Sequence, residues 1–218
     1  MTSAIIGTGG IGSTIARQLA AGGESLRLAS ADPGSANALA TAIGPGAVVV
    51  AGDGDALAGA DAVILALRFT VLKGVIDQIA GALTGQLVVV PSNPVSLDGS
   101  GQLVHLLPDG PSAGQVVAGW LPPGTQLAMA FGSMRAELLR SAARRSPERA
   151  VLFYVADDER AGAGAERLIR VAGFEPVKAG GLGQSGRLEV GGDLHDLVVG
   201  PERARSLIGP GRSAVPNR

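Results

Sequence analysis

Near its start the chain runs from an apolar, β-type segment into a glycine loop and out again into an amphipathic helix. No other feature restricts its fold as much. Ala4-Ile5-Ile6 reads as a buried strand, Gly7-Thr8-Gly9-Gly10-Ile11-Gly12 is a G-x-G-x-x-G, and Ile11, Ile15 and Leu19 then recur at helical spacing until Gly22-Gly23 closes the run. Gly7 would make the tight strand-to-helix turn. Gly9 would leave no Cβ between backbone and ligand, and Gly12 would let helix and strand pack closely. The start of such a helix offers unpaired N–H groups and a partial positive charge, which suits a diphosphate. In this context we read the loop, Thr8, Gly10 and Ile11 included, as dinucleotide-binding rather than as one more glycine-rich turn.

The segments that follow keep the same rhythm. Strands are expected over 25–29, 47–51, 62–67, 87–90, 125–131, 150–156 and 174–178. Helices are expected over 33–43, 71–83, 134–145 and 158–172, with Asp32 capping the first and Asp157 or Asp158 the last. Residues 91–118 read as a looser segment. The strands are continuous apolar runs, such as Ala-Val-Ile-Leu-Ala-Leu at 62–67, so both faces should be covered by helices. The pattern predicts an α/β fold, a doubly wound and mostly parallel sheet of Rossmann type, with a small C-terminal α+β extension. The expected division is 1–146 for the dinucleotide-binding domain and 147–218 for an extension that continues the sheet and shapes the acceptor site.

Composition removes several function classes. A net charge of −1 gives no basic footprint for nucleic acid, and four Phe, one Tyr and one Trp leave little for stacking on bases. The absence of cysteine excludes disulfides, thiolate metal sites and cysteine nucleophiles. The uncharged stretch 110–134 is broken by Pro111, Pro122 and Pro123, and the N-terminus lacks the basic region of a signal peptide. The expectation is a soluble, cytoplasmic protein whose partner is a small molecule, with no nucleic acid and no membrane.

Asp32 lies about 20 residues beyond Gly12, where an acid can hold the ribose hydroxyl of NAD, but capping of the helix that opens at Pro33 explains it equally well. Ser30 and Ala31, following the second strand, lean toward NADP, because a serine can donate to a 2′-phosphate that an acid would repel. NAD is the alternative. Loops at the carboxyl ends of parallel strands converge on one crevice, so Leu67, Arg68, Asn93 and Phe131 are expected to line its nicotinamide half.

The chain resembles the family of coenzyme F420-dependent NADP oxidoreductases. The likeness rests on Gly7–Gly12, Ser30, Asn93-Pro94, Ala130-Phe131 and Ala156-Asp157-Asp158-Glu159, then on the segments at 172–177 and 179–182. It implies a Rossmann domain, a homodimer, and hydride transfer between NADP and a deazaflavin (F420) or flavin bound above the nicotinamide. Taken with the crevice argument, the residues expected to serve the cofactor are Gly7, Thr8, Gly9, Gly10, Ile11, Gly12, Ser30, Ala31, Leu67, Arg68, Asn93, Pro94 and Phe131. Two positions depart from the family pattern: Ala31 replaces an arginine commonly found beside the serine, and Arg68-Phe69 stands where relatives often have proline followed by an aromatic.

Other candidates are thinner. His105, in the apolar run Leu103-Val104-His105-Leu106-Leu107, reads as a buried or interface histidine. His195, between Asp193 and Asp196, reads as a proton donor with a raised pKa, or as a surface histidine beside acids. Two distant histidines make no helical metal pair, and no Gly-x-Ser-x-Gly is present. Arg140, Arg144 and Arg145 read as ordinary complements of a helix C-terminus. Hydride transfer asks for positioning and desolvation more than for an acid or base, so an oxidoreductase needs no further motif. The rival is a non-catalytic dinucleotide-binding or redox-sensing protein, and a nucleoside-methyl-donor site suits this glycine pattern less well.

Overall fold

Apolar runs without alternation can be buried only at the centre of a sheet covered on both sides, and that is where the computed structural model has them. It describes residues 1–107 and 110–208. Residues 108–109 of the segment expected over 91–118, and 209–218 of the expected extension, lie outside the described residues. In chain order the elements are β1 (Thr2–Ile6), α1 (Gly10–Ala21), β2 (Ser25–Ala29), α2 (Pro33–Ile43), β3 (Ala47–Val49), α3 (Asp53–Leu57), β4 (Ala62–Leu65), α4 (Phe69–Leu83) and β5 (Leu87–Val90). There follow β6 (Val95–Leu97), β7 (Leu103–His105), α5 (Ala113–Trp120), β8 (Gln126–Ala130), α6 (Ala136–Ala142), β9 (Val151–Val155), α7 (Glu159–Val171), β10 (Glu175–Gly180), a 3-10 segment (Leu182–Arg187) and α8 (Pro201–Ile208).

Eight strands form one sheet in the order β10-β9-β8-β5-β4-β1-β2-β3. Every neighbouring pair is parallel except β8–β9, where Met129 opposes Val155 and Ala130 opposes Tyr154. The chain begins in the middle, winds outward through β2 and β3, and returns to β4 on the other side of β1. The ends of β1 and β4 are therefore the point at which strand order reverses, where such sheets open a crevice. Successive residues of a strand feed opposite layers. Ile5 joins Ile15, Leu19, Leu39, Leu139 and Leu168 beneath α1, α2, α6 and α7, while Ile6 joins Leu72, Ile76, Val117 and Ala204 beneath α4, α5 and α8.

Local chemistry sets the helix starts. Asp32 Oδ1 accepts from the Gly34 N–H at 3.0 Å, with Pro33 in the first turn, so its side chain caps α2. Asp158, not Asp157, caps α7 by accepting from the Ala161 N–H at 2.9 Å. Asp157 instead accepts from the Leu182 N–H at 2.8 Å and ties the 3-10 segment to the end of β9.

Several expectations need correction. The strand expected over 47–51 stops at Val49, that over 62–67 at Leu65, and the helix expected over 134–145 spans only Ala136–Ala142. Helices α3, α5 and α8 and the β6–β7 ribbon lie outside the expected elements; each is short and buries few side chains. The ribbon turns on Asp98, whose Oδ1 accepts from the N–H groups of Ser100 and Gln102 and from the Ser100 hydroxyl. His105 lies exposed on this ribbon, not buried, because β7 packs against β6 alone. No helix among the described residues is long and apolar enough to cross a membrane.

Candidate functional site

The glycine loop is compressed from behind and open in front. At Gly7, φ is +99°, a region that L side chains rarely adopt, and a Cβ there would run into the Ala66 carbonyl oxygen. A Cβ on Gly12 would meet the Gly7 carbonyl oxygen and lie 3.0 Å from Ala66 Cβ. These two glycines let α1 press against the ends of β1 and β4. At Gly9 the situation reverses, since a Cβ would meet nothing within 4 Å, and at Gly10 only Ala136 Cβ at 3.8 Å.

The first turn of α1 has no side-chain cap and no acidic residue, whereas α2, α5 and α7 are capped by Asp32, Ser112 and Asp158. Its leading N–H groups thus face open space with a partial positive charge and no side-chain acceptor. This is the donor set a diphosphate takes up, so the residues present fit a dinucleotide.

A cleft of about 320 Å³ continues from this loop, within the size range of small-ligand sites. Gly9, Gly10 and Ile11 form one wall, Ala66, Leu67, Arg68 and Phe69 a second, and Pro91, Ser92, Asn93 and Val95 the third. The walls are fastened to one another. The Ser92 hydroxyl donates to the Leu67 carbonyl at 2.6 Å, linking the β5 and β4 loops. Asn93 Nδ2 donates to the Gly132 carbonyl at 2.9 Å, and its Oδ1 accepts from the Val190 N–H at 2.9 Å. The Asn93 amide therefore knits the β5 loop to the β8 loop and to the carboxy-terminal segment. Behind it a cavity of about 20 Å³ is lined by Ser133, Ser185 and Glu189 among others, and the buried Ser133 hydroxyl has no protein partner.

The structure brings together Gly9, Gly10, Ile11, Leu67, Arg68 and Asn93. Thr8 is buried beside them, its hydroxyl 2.8 Å from that of Ser35. Ser30 and Ala31 sit beyond the end of β2, next to the loop, because the Gly7 N–H donates to the Ala29 carbonyl at 2.8 Å. The Ser30 oxygen accepts from the Asp32 N–H at 3.2 Å, which leaves its own proton free to donate. Pro94 is buried, and its carbonyl accepts from the Leu106 N–H to anchor the ribbon.

Phe131 does not line the cleft. It takes φ of 67° at the end of β8 and is fully buried in the layer that includes Ile15 and Leu139. A bulky residue in that region costs roughly 1–3 kcal/mol, which burial of the ring offsets. Sequence reading missed Ser35, Ala66, Ser92 and Val95. Adjacency to Asn93 was the one available hint, for Ser92; small residues in loops carry no periodicity.

The expected raised pKa of His195 is also corrected. Burial holds its imidazole below the ordinary histidine value; Asp196 opposes this and Arg135 adds to it. One of the two carboxylates is engaged elsewhere, since Arg187 Nη2 lies 2.7 Å from Asp193 Oδ2. Asp196 Oδ2 is 3.7 Å from His195 Nδ1, and Asp196 Oδ1 accepts from the Arg135 N–H at the start of α6. The half-buried imidazole is thereby pushed toward its neutral form.

Residues 2–94 match the family described as NADP oxidoreductase, coenzyme F420-dependent, so the resemblance is borne out over the stretch that holds the glycine loop and two of the three cleft walls in full. Among solved structures, hypothetical protein SMa0349 from Sinorhizobium meliloti is 29% identical, with a TM-score of 0.80 over 92% of this chain and 95% of that one. A candidate F420-dependent NADP reductase from Arthrobacter sp. FB24 is 21% identical, with a TM-score of 0.70 over 83% of this chain and 85% of that one. 3-Hydroxyisobutyrate dehydrogenase of Mycobacterium tuberculosis shares the fold at 20% identity and a TM-score of 0.63, over 84% of this chain and 56% of that one. No curated protein matches. The family is one of NADP-dependent oxidoreductases, and the neighbours share the mostly parallel, Rossmann-like sheet.

Proposed function

We propose, from the family match over residues 2–94 and the cleft it contains, that the chain is an NADP(H)-dependent oxidoreductase. It would move a hydride between the nicotinamide and a deazaflavin, a flavin-like molecule or another small acceptor. The observation that carries this reading is the contrast within one loop. Gly7 and Gly12 are forced by protein packing, whereas Gly9 faces open space beside an uncapped helix start. Protein packing accounts for the first two; a ligand that must approach the backbone at an uncapped helix start accounts for the third.

When bound, the cofactor supplies the hydride chemistry itself. The chain's residues hold, orient and exclude water. The N–H groups at the start of α1 take the diphosphate, and Ser30 donates toward the 2′-phosphate in place of the acid that NAD would call for. Asp32 caps α2 through Oδ1, which accounts for an acid at this position without a ribose partner. Leu67, Phe69, Pro91 and Val95 would supply an apolar lining for the nicotinamide half, and the Ser92 and Asn93 hydrogen bonds keep the cleft walls from separating. We extend the proposal to a cytoplasmic homodimer in which residues 147–218 shape the acceptor side. The Val190–Asn93 bond, joining that segment to the cleft wall, supports the last point.

The test is fluorescence titration with NADPH and NADH, followed by NADPH oxidation with F420, FMN and quinones as acceptors. Tighter binding of NADPH and turnover with at least one acceptor are expected. Tight binding without any turnover would favour the non-catalytic, redox-sensing reading, and preference for NADH would reverse the cofactor assignment.

A further inference from the structure

Arg68 follows β4 and stands just ahead of α4, as the first residue flanking the helix. Its neighbours on both sides are fixed. The Leu67 carbonyl is held by the Ser92 hydroxyl, and Phe69 is buried with its ring 5.2 Å from that of Trp120. The backbone at Arg68 is therefore rigid, while its side chain is exposed and makes no hydrogen bond or ion pair among the described residues.

Several other arginines are engaged with the protein itself. Arg144 donates to the carbonyls of Gln18, Val171 and Ala172, Arg167 pairs with Glu24, Arg187 with Asp193, and Arg27 reaches the carbonyls of Asp55 and Ala56. Among the described residues, Arg68 is also the only charged one lining the cleft, and no acid lines it to neutralise that charge. Across the cleft the diphosphate is served by main-chain N–H groups, which need no arginine. A free guanidinium on a rigid root, in an otherwise uncharged cleft, suits a planar, bidentate anion.

We propose that Arg68 recognises an anionic group, phosphate or carboxylate, on the hydride acceptor, and so selects charged acceptors over neutral ones. This rests on the reading of the cleft as an NADP(H)-dependent redox site and adds the chemical class of its second substrate.

FMN and riboflavin share one ring system and differ by a phosphate, so they isolate the feature. Their binding to the NADP⁺-saturated protein, followed by flavin fluorescence, and their rates as acceptors of NADPH would be compared in the wild type and in Arg68→Met and Arg68→Lys. We expect FMN to be preferred by about tenfold in the wild type, the size of one charge-assisted hydrogen bond. Arg68→Met should bring the FMN-to-riboflavin ratio close to one, and Arg68→Lys should retain part of it. Equal affinity for the two flavins in the wild type, binding of neither, or an unchanged ratio in Arg68→Met would overturn the assignment. So would loss of NADPH affinity in Arg68→Met with the ratio preserved, since Arg68 would then serve the cofactor. Tight NADPH binding without oxidation by any acceptor would instead count against the oxidoreductase reading, and the flavin-binding ratio would still decide the role of Arg68.

Discussion

Replacing Gly9 by alanine separates the ligand's demands on the loop from those of the fold. The residue has φ of −66° and ψ of −168°, which any L residue adopts, and an added methyl meets no protein atom within 4 Å. Alanine is a poorer N-cap than glycine, but it restricts the unfolded chain by about 0.4–1 kcal/mol, and the two terms nearly cancel. Stability should therefore change by less than about 1 kcal/mol, or roughly 2–4 °C in melting temperature for a chain of this size. Cofactor binding should respond very differently. The methyl stands where the diphosphate must approach the α1 N–H groups, and losing two charge-assisted hydrogen bonds of about 1.5–3 kcal/mol each raises the Kd for NADPH at least about 100-fold. Fluorescence titration and a thermal melt on the same preparation give both quantities. An NADPH Kd within about threefold of wild type would refute the assignment of the loop as the diphosphate cradle. A melting temperature lower by more than about 5 °C would refute the claim that Gly9 faces open space.

Gly12→Ala should show the opposite profile. Its Cβ would overlap the Gly7 carbonyl, so a loss of about 1–3 kcal/mol is expected in urea titration, with or without cofactor. Arg167→Met leaves Glu24, only 3% exposed in its side chain, with the Ser3 hydroxyl as its sole remaining side-chain donor among the described residues. A cost of about 2–4 kcal/mol by chemical denaturation is expected, discounted because Arg167 itself is partly solvated. His195 has a lowered folded-state pKa, so below the ordinary histidine value the unfolded chain binds the proton more readily than the folded one. Stability should therefore fall as pH drops from about 6.5 toward that lower value, and His195→Gln should flatten this part of the pH–stability curve. An equally steep curve in the variant would place the titration elsewhere. Ser133→Ala removes a buried hydroxyl with no protein partner and should change stability by no more than about 0.5 kcal/mol in the same urea assay.

Much of the site is already present in the order of residues. A buried strand, three glycines at fixed spacing and a helical stripe dictate the βα turn, because backbone sterics and hydrogen bonding act over a few neighbouring positions. The apolar runs at β4, β5 and β9 likewise require a covered sheet, and the caps at Asp32 and Asp158 follow from side chains bonding amides two or three residues away. All of these are short-range effects.

Contacts between distant segments decided the rest. The Asn93 amide is spent on Gly132 and Val190, the Phe131 ring is turned into the core by a left-handed backbone, and burial pushes the His195 imidazole toward its neutral form. Burial and partnership depend on what the chain brings from far along its length. A pattern of neighbours can name a glycine's task, but it cannot say whether an asparagine, a phenylalanine or a histidine faces a ligand or the protein.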